Sequence, residues 1–172
     1  AMMAGVVCSL LTNRLFGHSF FDRQLLDRGI DLSQGREALA LSHLQVEAYA
    51  SQNYISATVN SRGDQLLHAM RSGGDTEAYV LNKEGILLGK VNIFAVLEAG
   101  SGTIADFMDT GPLSLYTHDS LEHAMATAGE FVGESLPIVD LDTGQLVGTV
   151  TEGSLFQAVI AVQKQARSQE RS

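Results

Sequence analysis

The chain has 172 residues, 45% of them apolar and 18% charged. That composition is too apolar for a disordered segment, and the length is enough to bury a core. Eleven Lys+Arg against twenty Asp+Glu give a formal net charge of −9, which argues against nucleic acid as a partner, because that binding rests on Lys and Arg neutralising phosphates. A single cysteine, Cys8, excludes an internal disulfide and a cysteine zinc site.

The acidity is unevenly placed. Over residues 1–40, Arg14, Arg23, Arg28 and Arg36 balance Asp22, Asp27, Asp31 and Glu37, so the net charge belongs to the rest of the chain. Ala1 to Asn13 holds no charged residue and carries Met2, Met3, Val6, Val7, Leu10 and Leu11. This run is shorter than the ~20 apolar residues of a membrane span, and it lacks the basic start of a signal peptide. Two readings stay open on these residues. One is an amphipathic helix lying on the protein's own core. The other is the last turns of a membrane helix that begins upstream, with Arg14, Arg23 and Arg28 as its cytoplasmic flank. Ser19-Phe20-Phe21-Asp22 then forms a capping-box pattern for a short helix to about Leu26. Gly29 and Gly35 mark residues 27–36 as a connector.

From Leu44 onward the chain repeats itself. Leu44–Tyr49 is echoed by Thr103–Met108, Leu66–Met70 by Leu121–Met125, and Val80–Val91 by Val139–Val150. Repetition at this period means one supersecondary unit used twice. Asp64–Met70 and Asp119–Met125 have helical spacing behind an acidic start. Ala78–Leu81 and Leu136–Val139 are β-rich runs, each followed by a glycine-containing turn, at Gly85 and Gly144, and by a second strand, Ile86–Val91 or Gln145–Val150. A helix closes each unit, Ile93–Ala99 and Ser154–Gln165, the latter with Leu155, Val159, Val162 and Ala166 on one stripe. One such unit has little core of its own, and two stacked units solve that.

These units, with Gly148-Thr-Val-Thr151 closing the second hairpin, Leu136-Pro-Ile-Val-Asp140 entering it and Thr103–Met108 opening the repeat, resemble a pair of CBS domains over residues 44–163. The resemblance implies an α+β fold: two β-α-β-β-α repeats packed as a pseudo-two-fold pair, preceded by an N-terminal helix and linker. The divisions are 1–18 for the helix, 19–43 for the linker, 44–99 and 100–163 for the repeats, and 164–172 for the tail. Residues 14–32, Arg14-Leu-Phe-Gly-His-Ser-Phe-Phe-Asp-Arg-Gln-Leu-Leu-Asp-Arg-Gly-Ile-Asp-Leu32, resemble the segment by which bacterial CLC-type chloride channels and transporters leave their last membrane helix. Together the two matches imply a cytoplasmic regulatory or assembly region of a chloride channel or chloride/proton exchanger. Its partners would be the membrane domain of the same chain and a second copy, as a homodimer through the CBS repeats. It would lie at the cytoplasmic face of the membrane. Regulation would be a population shift passed through Phe20–Gly35. The alternative from another class is a stand-alone CBS-pair sensor that controls a soluble enzyme.

CBS pairs often hold adenine nucleotides in clefts between the repeats, so AMP, ADP or ATP is the implied ligand, with no cofactor required. The family pattern at the end of the second hairpin is G-h-h-[ST]-x-x-[DN], the final carboxylate accepting both ribose hydroxyls. Here the second repeat reads Gly148 to Ser154, keeping Thr151 and placing Ser154 where an acid is expected. The first repeat reads Gly89 to Ala95, and Ala95 offers ribose nothing. The favoured site therefore uses Thr151 and Ser154. Its other wall would come from Ser56, Ala57, Thr58, Thr76, Glu77, Ala78 and Tyr79, with Tyr79 either stacking on a base or serving as core. The absence of clustered Lys or Arg disfavours a triphosphate. Catalysis is not expected. Gly100-Ser-Gly-Thr-Ile-Ala105 imitates a dinucleotide fingerprint but follows a helix instead of a strand. Gly133-Glu-Ser135 lacks the closing glycine of a nucleophile elbow. His118 and His123 fall on different helix faces, while His68 and His123 recur at matching repeat positions.

Overall fold

The protein is described from a computed structural model covering residues 41–169, with side chains to residue 165. The expectations for residues 1–40, including the N-terminal helix, the capping box and the segment 14–32, lie outside the described residues. Among those residues no helix is long and apolar enough to cross a membrane.

Two units of the same plan follow each other. The first has β1 (Ser56–Ala57), α1 (Gly63–Gly73), β2 (Glu77–Leu81), β3 (Leu87–Asn92) and α2 (Ile93–Ala99). The second has β4 (Leu115–Tyr116), α3 (Leu121–Glu130), β5 (Leu136–Val139), β6 (Leu146–Val150) and α4 (Glu152–Gln169). In each sheet the first strand runs parallel to the second, which pairs antiparallel with the third. The parallel pair requires a crossover, and α1 or α3 supplies it. Both hairpins turn at a glycine in the left-handed region, Gly85 (φ 81°) and Gly144 (φ 72°), where a side chain would strain the backbone. Helix α1 stops where Gly74 (φ 77°) turns its N–H back to the Met70 carbonyl.

The cores follow the expected stripes. Leu66, Met70, Ala78, Val80, Val91 and Val96 fill the first. Leu121, Ala124, Met125, Leu136, Ile138, Val150, Leu155 and Val159 fill the second, with Val162 packed against them.

The opening segment of each repeat does not sit on its own unit. Each is a single 3-10 turn, Val46–Tyr49 and Ile104–Asp106. The turns cannot lengthen because the chain leaves them to pair with a hairpin. Ser51 exchanges two backbone hydrogen bonds with Thr149, of 2.8 and 2.9 Å, and Asp109 exchanges two with Lys90, both 2.8 Å. Val46 is accordingly buried in the second core and Ile104 in the first. The two segments thus cross over, each completing the other unit. Gly89 and Gly148 make the crossing possible. A methyl group at Gly89 would sit 2.5 Å from the Asp109 carbonyl oxygen, and one at Gly148 would sit 2.9 Å from the Ser51 carbonyl oxygen. The hairpin tips also join reciprocally: Leu87 N–H donates to Gly144 O and Leu146 N–H to Gly85 O, both at 3.0 Å.

Candidate functional site

Thr151 and Ser154 open α4 as a reciprocal cap. Ser154 N–H donates to Thr151 Oγ1 at 3.0 Å, and Thr151 N–H donates to Ser154 Oγ at 2.9 Å. Ser154 Oγ–H donates in turn to the Thr151 carbonyl. This satisfies amides that the first turn of a helix leaves open. The equivalent place in the first unit works the same way, with Asn92 Oδ1 accepting from Ala95 N–H at 2.9 Å. The hydroxyls expected at a ligand therefore serve as helix caps.

Beside this cap lies a cleft lined by Ala128 in the last turn of α3 and Phe131 just after it, by Gly133, Glu134, Ser135 and Leu136 leading into β5, and by Val150 and Glu152 around the start of α4. Register explains the convergence: Leu136 is paired directly with Val150, so the entry of β5 and the exit of β6 meet at the N-terminus of α4. The cleft has a volume of about 20 Å³, room for roughly one water. Its charged lining residues are both acidic, Glu134 and Glu152. Neither makes an ion pair among the described residues. Glu152 also sits in the first turn of α4, where the positive end of the helix dipole already favours a carboxylate.

The first-unit residues expected as the opposite wall gather on the first sheet. Ser56 is in register with Tyr79 and Ala57 with Val80. Ser56 and Thr58 are exposed, and Thr58 Oγ1 bonds Ser61 Oγ at 3.0 Å. The Thr76 carbonyl accepts from Ile93 N–H at 2.8 Å, beside the cap of α2. Ala78 and Tyr79 are 0% and 1% exposed, because β2 is the central strand of its sheet. Tyr79 is core, with Tyr54 meeting it edge-on at 5.9 Å between ring centroids.

Glu77 and Tyr79 do reach the second unit, at one residue. Ser135 N–H donates to Glu77 Oε2 at 3.0 Å. The Tyr79 and Ser135 hydroxyls share a bond of 2.6 Å. Lys90 completes the group, its ammonium 2.7 Å from Glu77 Oε2 and 2.7 Å from the Ser135 carbonyl. The Lys90 and Glu77 side chains are 11% and 12% exposed. Burial pushes the Tyr79 phenol well above its ordinary pKa. The nearby Glu77 charge adds to that rise, and the Ser135 bond opposes it. Lys90, Phe131 and Ser135 were passed over in the sequence. The available signal was that Lys90 stands in a strand at the position matching Thr149, which is buried. A lysine half-hidden in a sheet needs a partner. His68 and His123 lie exposed on α1 and α3. Among the described residues no three His, Cys, Asp or Glu side chains converge on a point.

Twin β-α-β-β-α units with crossed opening segments define a tandem-repeat module. Residues 104–161 match the CBS domain family. The described chain has the fold of a CBS domain pair. It superposes on CBSX2 in complex with AMP with a TM-score of 0.63 at 23% identity, covering 70% of this chain and 98% of that one. CBSX2 is a CBS-pair protein from Arabidopsis thaliana. A CBS domain pair/ACT domain protein from Thermotoga maritima gives 0.62 at 23% identity, over 69% and 98% of the two chains. The cytosolic domain of the Mg2+ channel MgtE in complex with ATP gives 0.60 at 21%, over 78% and 58%. No curated protein of similar sequence was found.

Proposed function

We propose that this chain is a regulatory module that binds an adenine nucleotide in the cleft at the start of α4 and has no catalytic role of its own. The observation that carries the reading is the convergence of Leu136, Val150 and Glu152 on a cleft next in sequence to the Thr151–Ser154 cap, whose own residues do not line it, in a fold whose solved examples include complexes with AMP and with ATP. The acidic lining favours a ligand of low negative charge, so AMP ranks above ADP and ATP. Calorimetric titration with the three nucleotides tests this. Binding that weakens with each added phosphate supports it, and no heat with any of them removes it.

The host protein is a separate question. We read the chain as the cytoplasmic region of a CLC-type chloride channel or exchanger, at the inner face of the membrane. That reading is supported by the resemblance of residues 14–32 and by the apolar stretch before them. The alternative, a stand-alone sensor controlling a soluble enzyme, draws support from the near-complete coverage of CBSX2, itself a CBS-pair protein. The reading frame upstream of residue 1 separates them: several apolar spans favour the channel, and a start codon at Met2 or Met3 removes it. Pairing with a second copy is supported by Phe94 and Leu97, three apart on α2 and 73% and 47% exposed. Sedimentation measures it directly.

A further inference from the structure

We infer that Phe131–Ser135 is a strap that closes the second cleft, and that Glu77, Tyr79 and Lys90 of the first unit are its latch. The inference rests on the adenosine-ligand reading above and adds to it how the site is controlled.

Size is the first argument. The cleft of about 20 Å³ is far below the roughly 300 Å³ at which small-molecule pockets begin. A nucleoside enters only if a lining element moves. The cleft walls on β5, β6 and α4 belong to the sheet and to the buried core around Leu136, Val150 and Leu155, and these cannot yield without unfolding the unit. The strap can yield. Its middle makes no hydrogen bond among the described residues: Val132 is 96% exposed, and Gly133 and Glu134 are exposed beside it, with Gly133 close to the Phe131 ring and to Glu77 Oε1. Its hydrogen bonds and its core packing lie at its ends. At one end Phe131 packs on the second core, folds over Gly133 and lies 4.9 Å beneath the Lys90 ammonium.

At the other end every polar atom of Ser135 is engaged by the first unit. Its N–H and hydroxyl meet Glu77 Oε2 at 3.0 and 3.2 Å. Its carbonyl accepts from Lys90 Nζ at 2.7 Å and from the Tyr79 hydroxyl at 3.1 Å. Lys90 therefore grips both ends of the strap. When the strap lifts, the Glu77–Lys90 contact of 2.7 Å remains, so the first unit keeps its buried charge paired and the strap moves alone. Closing and ligand entry compete. Anything that loosens the latch in the first unit then raises affinity in the second, and by linkage a bound ligand loosens the latch.

Hydrogen exchange of the Ser135 amide, together with AMP titration of the whole chain, tests this. Lys90→Met is expected to speed Ser135 amide exchange at least tenfold relative to amides of β5, and Phe131→Ala is expected to bind AMP about tenfold more tightly than the parent. Phe131→Ala keeps the Glu77–Lys90 pair, so it serves even where Lys90→Met folds poorly. Unchanged Ser135 exchange in Lys90→Met, or measurable AMP binding that is no tighter in Phe131→Ala than in the parent, overturns the latch. If Ser135 exchange accelerates as expected while no variant binds AMP, the latch stands and the adenosine reading falls.

Discussion

Replacing Gly89 with alanine probes the crossed opening segments, on which the arrangement of the two units depends. The added methyl would lie 2.5 Å from the Asp109 carbonyl oxygen and 3.2 Å from Met108 Sδ. The methionine can move, but the carbonyl cannot, because it accepts from Lys90 N–H at 2.8 Å while Asp109 N–H donates back at 2.8 Å. The segment 103–109 must therefore withdraw or the hairpin must bend. Losing the two backbone bonds costs about 1 kcal/mol each, and overpacking adds roughly 1–3 kcal/mol, so the expected loss is about 3–5 kcal/mol. At ~2–4 °C per kcal/mol for a chain of this size, melting should fall by roughly 6–20 °C. Gly148→Ala meets Ala50 Cβ and Ser51 O at 2.9 Å, a milder clash with an expected loss of about 1–3 kcal/mol. Gly111→Ala, where nothing lies within 4 Å, is the control. It should be neutral or up to ~1 kcal/mol more stable through the unfolded chain. Thermal melts of the three variants decide the matter. A Gly89→Ala protein that melts with Gly111→Ala would refute the crossing.

Lys90→Met leaves the Glu77 carboxylate buried with only Ser135 as donor, and its expected cost is about 3–5 kcal/mol. Adding Glu77→Gln should recover most of that in a double-mutant cycle read from denaturant midpoints, whereas a loss below ~1 kcal/mol for Lys90→Met alone would mark the pair as an ordinary exposed one. The raised pKa of Tyr79 means the fold favours the protonated phenol, so this contribution is complete below the ordinary tyrosine value of ~10 and is lost as pH rises beyond it. Ultraviolet titration should show one late phenol ionising with alkaline unfolding, absent in Tyr79→Phe. If that variant titrates like the parent, the assignment is wrong. Thr151→Val removes the hydroxyl that caps α4 and should cost about 1 kcal/mol, as should Asn92→Ala at α2. Thermal melts that show no loss would mean those caps add no stability.

The elements that were legible in the sequence are those set by local pattern. Leu136–Val139 and Ile93–Ala99 appear with the expected bounds, because a β-rich run before a glycine turn and a short apolar helix behind Asn92 are local signals. The repeat itself was visible because Gly85 and Gly144, like Gly89 and Gly148, recur at the same spacing. What was not legible is non-local. Val46–Tyr49 is a single turn because the chain leaves it to pair Ser51 with Thr149 of the other unit. The expected wall of the site placed first-unit residues against Thr151 and Ser154. The observed meeting point is Ser135, reached by Glu77, Tyr79 and Lys90. That point depends on how two units dock, which no spacing within one unit encodes. Thr151 and Ser154 were chosen by motif for a ligand, and the same hydroxyl chemistry that would meet ribose also caps a helix.

The most direct test of the account is an isothermal titration of AMP into the whole chain. The account expects saturable binding at one site per chain, weaker for ATP than for AMP, together with a rise in melting temperature that scales with AMP concentration. No heat and no melting shift with AMP would contradict it, and so would tighter binding of ATP than of AMP.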